Sequence, residues 1–266
     1  MHYSHLAILA TTKPSQRTMK QLFAFHSLMV LIIALFSMPA LAQQALPTTK
    51  YKKALVIGAH PDDPETICGG TMLVLKEQGC EVVSVYLTSG EAGIAGKDAE
   101  ESARIRNKEV NDACAVMGVR HIEMTQIDGK TEINADRYAE MKALIAREKP
   151  DVVFTHWPID SHRDHRVCSI LVYDAWRQLD HSFDLYYCEA MSGLQTQTFH
   201  PTDYVNIDKV VEQKHKACLC HVSQSMDWIL DEWHIPMEKF RGLEFHCKVA
   251  EAFVKQIWTT SEIVNN

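Results

Sequence analysis

Histidine and acidic side chains are concentrated in two short segments of the chain. The first is His60-Pro61-Asp62-Asp63-Pro64-Glu65, and the second, about a hundred residues later, is Asp160-Ser161-His162-Arg163-Asp164-His165. A histidine and a carboxylate from the first segment and a histidine from the second would give three metal ligands. Three protein ligands with a fourth position left open are typical of a catalytic zinc site.

A short apolar stretch leads into each of these segments. Ala54-Leu55-Val56-Ile57-Gly58-Ala59 precedes the first, and Val152-Val153-Phe154-Thr155 precedes the second. Both stretches have the composition of buried strands. Ligands of open α/β sheets bind at the carboxyl ends of strands, so we expect the two segments to meet there.

The rest of the chain alternates between strand and helix patterns. Strands are predicted at 53–58, 81–87, 120–124, 151–155, 183–188 and 202–207. Helices are predicted at about 65–78, 98–117, 136–148 and 208–220, with one from an Asp160 or Ser161 cap to Leu179 and a last one through Phe253 and Trp258. This alternation predicts a single α/β, Rossmann-like domain, a mainly parallel sheet with helices on both faces. Gly90-Glu91-Ala92-Gly93 lacks the glycine spacing of a dinucleotide-binding loop.

Residues 1–42 have the pattern of a signal peptide. Met19-Lys20 begins a basic region, residues 28–36 are apolar but too short to span a bilayer, and Ala40-Leu41-Ala42 is typical of a cleavage site. We interpret residues 1–18 as an upstream start assigned in error. We therefore expect export to the periplasm or beyond, a polar lead at 43–52 and one domain at 53–266, with no stable membrane insertion after cleavage. An uncleaved membrane anchor is the alternative.

The charge balance disfavours two classes of partner. The chain has 27 basic and 34 acidic side chains, and three of the basic ones lie in residues 1–42, which contain no acidic ones. The remainder carries 24 basic against 34 acidic groups, a formal charge of −10. Nucleic acids and anionic membrane surfaces are poor partners for such a protein.

All eight cysteines follow residue 42. Most stand in apolar patterns, where cysteine behaves as a small hydrophobic residue, so we expect no obligatory disulfide framework. The alternative is that some of the cysteines form disulfides, as they could in an oxidising compartment. Cys218-Leu219-Cys220 does not have the spacing of a zinc-binding motif.

Simpler interpretations exist for each candidate residue. Asp62 or Asp63 could merely cap a helix, and the second segment could be a charged helix start. A cap needs only one acid, however, and the first segment supplies a histidine and three acids within six residues. His156 could be a buried core residue, and Arg106 could form a surface ion pair with Glu109.

The spacing within the second segment distinguishes its two histidines. His162 and His165 are three residues apart, so they share one face of a first helical turn. His165 is one turn deeper and is the preferred third ligand, whereas His162 is expected to point to the open side of the metal. Asp164 is placed to orient an imidazole and, we expect, to hold His162 protonated.

Several of these motifs together resemble a known family. The segment from Ala59 to Glu65, the loop 90–93, Ile105-Arg106-x-x-Glu109 and the segment 162–165 resemble, in order and spacing, the PIG-L/LmbE-like family of zinc-dependent N-deacetylases. The resemblance covers roughly residues 53–224. It implies these roles: zinc ligands His60, Asp63 and His165, general base Asp62, oxyanion-stabilising His162, and substrate contact Arg106.

The resemblance also implies a reaction. It predicts a hydrolase that removes an N-acyl group, here an N-acetyl group, from an amide on a GlcNAc-type sugar. Zinc is the expected cofactor, although iron(II) or cobalt could bind the same nitrogen and oxygen ligands. The alternatives are a metal-dependent amidase acting on a non-sugar amide and a non-catalytic carbohydrate-binding protein. A pure binding protein has no use for the base Asp62. Neither Asp160 nor His221 receives a role from the sequence.

Overall fold

The computed structural model describes residues 43–258, and the predicted signal peptide lies outside them. The strands are β1 Gln44–Ala45, β2 Lys53–Gly58, β3 Glu81–Thr88, β4 Arg120–Gln126, β5 Val152–His156, β6 Asp184–Cys188, β7 Asp203–Asn206 and β8 Ala250–Lys255. The helices are α1 Asp63–Glu77, α2 Ala99–Met117, α3 Ala135–Glu148, α4 Arg163–Gln178, α5 Val211–Cys218, α6 Met226–Ile229 and α7 Ile235–Glu244. A π-helical turn, Leu230–His234, joins α6 to α7.

The eight strands found within residues 43–258 form one sheet in the order β1-β7-β8-β6-β5-β2-β3-β4. Every neighbouring pair is parallel except the two that involve β8. The chain leaves β2 for β3 on one side and later returns to β5 on the other side. The order therefore reverses between β2 and β5, and this switch point is where open α/β sheets bind ligands.

Alternate residues of β2 face opposite sides of the sheet, as the two-residue period of a strand requires. Ala54 and Val56 belong to one buried cluster, to which α1, α2 and α5 contribute. Leu55 and Ile57 belong to another, to which α3 and α4 contribute. Helices cover both faces, so the predicted α/β architecture is confirmed.

Local signals explain where the helices begin and end. The Asp98 side chain accepts a hydrogen bond from the Glu101 N–H at 2.8 Å and caps α2. Gly118, predicted to end this helix, lies in the left-handed region with a φ of 65°. Helix α4 differs from the prediction, because His162 rather than Asp160 or Ser161 is its N-cap residue.

Two terminal regions differ from the sequence prediction. The helix predicted through Phe253 and Trp258 is wrong, since residues 250–255 form β8, antiparallel to both β6 and β7. Residues 43–52 are more than a polar lead: β1 pairs with β7, and Leu46 and Tyr51 are buried. In both cases the partner strands are distant in sequence, and they determine the local structure.

The eight cysteines all lie among the described residues and carry free thiols, six of them buried. Within residues 43–258, no helix combines the length and apolarity needed to cross a membrane.

Candidate metal centre and active site

The first segment forms the tight connection between β2 and α1. A Cβ on Gly58 would lie 2.5 Å from the Cβ of Asp63, so only glycine permits this approach. The His60 N–H donates to Asp63 Oδ2 at 2.7 Å. These contacts hold the Asp63 carboxylate next to Nδ1 of His60.

Asp62 has a strained backbone. Its φ of 116° lies in a region that residues with side chains rarely adopt, at a cost of about 1–3 kcal/mol. Its Oδ2 accepts a hydrogen bond from Arg106 Nη2 at 3.1 Å, and the same guanidinium donates to the Pro61 carbonyl. The strained turn separates the Asp62 carboxylate from that of its neighbour Asp63, so adjacent residues can take different roles.

The second segment connects β5 to α4. The Asp160 carboxylate accepts a hydrogen bond from the His162 N–H at 2.7 Å. The Nδ1 of His162 in turn accepts from the Asp164 N–H at 3.3 Å, which caps the helix. With Nδ1 acting as acceptor, the proton of a neutral His162 lies on Nε2, the other ring nitrogen.

The three predicted ligands lie together. His60 Nδ1 is 3.3 Å from Asp63 Oδ2, and Asp63 Oδ1 is 3.3 Å from His165 Nε2. Two ligand atoms bound to one tetrahedral zinc ion at about 2.0–2.1 Å are roughly 3.3 Å apart. Each contact therefore matches the spacing of two ligands on one zinc ion, but the two contacts use different oxygens of Asp63. Among the described residues, three groups have ligand atoms that all lie within 4.8 Å of one another and could hold a metal ion: His60 with His162 and His165, Asp63 with His156 and His165, and His60 with Asp128 and Asp164.

A carboxylate lies against the other nitrogen of each ligand imidazole. His165 Nδ1 is 3.3 Å from Asp160 Oδ2, and His60 Nε2 is 3.2 Å from Asp164 Oδ2 and 3.3 Å from Asp128 Oδ1. Such carboxylates orient metal-bound imidazoles and increase their basicity. Asp164 is thus placed to orient the His60 imidazole, and Asp160 makes the same kind of contact with His165.

Two more imidazoles approach the ligand atoms. His162 could offer a nitrogen within 4.8 Å of those of His60 and His165. His156 stacks on His165 with 3.8 Å between ring centroids, and its Nε2 lies 3.1 Å from Asp63 Oδ2. The same nitrogen accepts the Ala59 N–H at 3.1 Å, so His156 supports the site from the sheet side.

The charges of the cluster favour a cation. Burial lowers the pKa of His165, but Asp63 and a hydrogen bond to Asp160 raise it to about 9. Burial raises the pKa of Asp63, but His165 and His156 hold it well below its usual value. Burial also lowers the pKa of His60, but hydrogen bonds to Asp128, Asp164 and Asp63 raise it well above its usual value. His60 and His165 thus hold protons where a metal ion could supply the positive charge instead.

Two further groups have shifted pKa values. Burial raises the pKa of Asp62, although Arg106 opposes the shift. Burial and the neighbouring His165 and His60 lower the pKa of His162, so the expectation that Asp164 keeps this histidine protonated is wrong. The Asp164 carboxylate is instead directed to His60, Thr131 and the Gly129 N–H.

These groups border a cavity of about 310 Å³. It is at the small end of the range for small-molecule sites, about 300–1,000 Å³. Most predicted site residues line it, but Asp164 does not and instead contacts the His60 ring. The cavity is lined by His60, Asp62, Asp63, Thr66, Ala92, Gly93, Arg106, Asp128, His162, His165, Ala190, Met191, Gln195, Gln224, Met226, Ile229 and His234.

Arg106 does reach the site. Its side chain is 2% exposed, and its guanidinium pairs with Asp62 and Pro61. Glu109, the surface partner considered for it, instead accepts hydrogen bonds from the backbone and hydroxyl of Ser223. Asp62, the candidate general base, thus occupies the guanidinium group predicted to contact the substrate.

Sequence reasoning missed several cavity residues. Asp128 follows β4 at the same sheet edge as the two segments, and that position could have identified it. Met226, Ile229 and His234 belong to the C-terminal helices, for which the sequence offered no catalytic motif.

Comparison with known proteins agrees with this geometry. Residues 55–176 match the family model described as "PIG-L: GlcNAc-PI de-N-acetylase". This match to the PIG-L family covers a little under half of the chain. Together with relatives that are named deacetylases, it makes the protein an enzyme of the N-deacetylase class, an amide hydrolase.

Named relatives cover most of the chain. A diacetylchitobiose deacetylase of Thermococcus kodakarensis is 29% identical, over 70% of this chain and 75% of the relative. A probable N-acetyl-alpha-D-glucosaminyl L-malate deacetylase 2 of Bacillus cereus is 28% identical, over 69% and 88%. The solved N,N′-diacetylchitobiose deacetylase of Pyrococcus horikoshii superposes with a TM-score of 0.69 at 26% identity, over 79% of this chain and 85% of that one.

Proposed function

We propose that this protein is a zinc-dependent hydrolase that removes the N-acetyl group from a GlcNAc-type sugar. The observation that carries the proposal is the Asp62 carboxylate, which lines the cavity beside the three ligand candidates. A base next to a complete ligand set suits hydrolysis, whereas a carbohydrate-binding protein would not need it. The choice of a GlcNAc-type sugar and an acetyl group rests on the names of the relatives.

Asp62 is the general base of the proposed mechanism. A zinc ion held by His60, Asp63 and His165 would polarise the amide carbonyl and acidify water. Asp62 then removes the proton of the attacking water and can return it to the departing amine. Arg106 keeps the Asp62 carboxylate in position through its 3.1 Å hydrogen bond.

His162 stabilises the oxyanion. Its Nδ1 accepts a hydrogen bond from the Asp164 N–H, so its proton lies on Nε2 and can be donated into the cavity that His162 lines. A donor of this kind contributes most when negative charge develops on the carbonyl oxygen. Asp164, Asp128 and Asp160 hold the ligand imidazoles and need not contact the substrate.

Metal analysis and amine release test the proposal. The purified protein should contain about one zinc ion per chain and release amine from N-acetylated glucosamine sugars. Asp62→Asn should retain zinc and lose most turnover, whereas His165→Ala should lose zinc. Reconstitution with iron(II) or cobalt identifies the metal that supports the highest rate.

The same assay separates the alternative substrate class. If the protein cleaves peptide or lactam amides and leaves every N-acetyl sugar intact, its substrate is a non-sugar amide. Full activity of Asp62→Asn with zinc bound would remove Asp62 from the mechanism. Activity unchanged after metal removal would overturn the metal requirement.

A further inference from the structure

The C-terminal helices, which lie beyond the residues matched by the family model, form one wall of the cavity. Met226 and Ile229 of α6 line it, together with His234 at the end of the π-helical turn. Met191, in the loop after β6, adds another apolar side chain. Single π-helical turns often occur at functional sites, and this one brings His234 to the cavity.

His234 is buried with one of its ring nitrogens left without a partner. It is 3% exposed, and its Nδ1 has no hydrogen-bond partner among the described residues. Buried polar side-chain atoms usually have a partner, and an unpaired one costs about 1–3 kcal/mol. Nδ1 itself has almost no accessible surface. The imidazole lines the cavity, so the nitrogen it can offer to a bound molecule is the other one, Nε2.

The imidazole is neutral at physiological pH. Burial, reinforced by the charge of Lys214, lowers the pKa of His234 to about 4. Lys214 itself is fixed 2.7 Å from both Glu238 and Glu251. A neutral imidazole offers one N–H donor and one acceptor nitrogen, which matches a hydroxyl group.

The charges of the lining disfavour an anion away from the metal ligands. Asp62, Asp63 and Asp128 contribute carboxylates to the cavity. Among the described lining residues, Arg106 is the one Lys or Arg side chain, and Asp62 and the Pro61 carbonyl already occupy it. A phosphate or carboxylate on the substrate would find no free cation on this wall.

We propose that His234, with Met191, Met226 and Ile229, forms a subsite for the part of the substrate that does not react. The subsite selects an uncharged, hydroxyl-bearing group, such as a second sugar ring, over an anionic one. The apolar side chains pack against the C–H face of a pyranose while the imidazole pairs with a hydroxyl. This assignment rests on the proposed sugar deacetylase function.

Three substrates test the selectivity: N-acetylglucosamine, N,N′-diacetylchitobiose and N-acetylglucosamine 1-phosphate. The wild-type protein should give a higher kcat/KM for the disaccharide than for the phosphate. His234→Leu should lower kcat/KM for the disaccharide by up to about tenfold, mainly through KM, since it removes one hydrogen bond. The monosaccharide should change less than twofold, and His234→Gln should recover part of the loss.

The exposed His200 provides the matched control, because His200→Leu should alter none of these constants. Melting temperatures identify any variant that fails to fold, and His234→Gln then carries the test. Equal losses on the mono- and disaccharide, or a wild-type preference for the phosphate, would overturn the subsite.

A binding measurement separates this inference from the proposed function. Calorimetry of Asp62→Asn with diacetylchitobiose should show affinity that falls when His234→Leu is added. If the wild type deacetylates no sugar but binds the disaccharide in this His234-dependent way, the function fails and the subsite stands. If the disaccharide does not bind, the subsite is refuted.

Discussion

Replacing Gly58 with alanine should disable the metal centre without touching any ligand. The new Cβ would lie 2.5 Å from Asp63 Cβ, whereas ordinary contact begins at 3.4 Å, so Asp63 must retreat by about 0.9 Å. Gly58 and Asp63 are both buried, which leaves little room for other adjustments. The displacement falls directly on the proposed zinc ligand.

The size of the effect follows from this displacement. Disturbing the residues that orient metal ligands typically lowers metal affinity about 10–100-fold, and a misplacement of about 1 Å can cost about a hundredfold in rate. We therefore expect zinc affinity to fall at least tenfold, measured by competition with a chelator. At saturating zinc, kcat/KM should fall about a hundredfold in the amine-release assay.

Gly79→Ala is the control for backbone strain alone. Gly79 has a φ of 84°, and a Cβ added there would meet no described atom within 4 Å. The change should therefore cost about 1 kcal/mol of stability and leave zinc binding intact. Wild-type zinc affinity in Gly58→Ala would refute the assignment of Asp63 as a ligand. Equal zinc loss in both variants would attribute the effect to general destabilisation.

Three further predictions concern the catalytic donor, acid stability and export. His162→Ala should lower kcat about a hundredfold with zinc retained; loss of zinc would instead make His162 a ligand. Burial raises the pKa of Glu238, but the charge of Lys214 outweighs this and lowers the pKa to about 2. The ionised Glu238 therefore stabilises the folded protein by about 3 kcal/mol, a contribution that is present above pH 4.5 and lost as the pH falls towards 2. Urea denaturation of Glu238→Gln should thus show a weaker pH dependence between pH 5 and 3; an unchanged dependence contradicts this. N-terminal sequencing of the exported protein should begin near Gln43, and retention of Met19 would contradict cleavage.

The part of the site formed by β2 and β5 could be predicted because its signals are local. Each strand is a short, mostly apolar and buried run, and each leads within a few residues into a segment of histidines and carboxylates. Parallel strands place their carboxyl ends at one edge, so His60 and His165 could be expected to meet. Their separation of about a hundred residues in sequence did not matter.

Strand β8 could not be predicted in the same way. Its residues include alanine, glutamate and lysine, which favour helices. The segment forms a strand because it can pair with the edges of both β6 and β7. Asp128 and His156 have a related difficulty. Each is an ordinary polar residue in sequence, and only the neighbouring strands place it beside His60 or Asp63.

The place of β8 in the sheet also sets the order in which the molecule can be completed. Its residues are made after the other seven strands, yet it lies between β6 and β7. Until residue 255 has left the ribosome, β6 is an edge strand whose outer backbone groups are unpaired. The pair formed by β7 and β1 is then not hydrogen-bonded to the rest of the sheet. Such open edges pair readily with other chains, so a nascent or truncated chain ending before β8 is exposed to aggregation. The last strand closes the sheet.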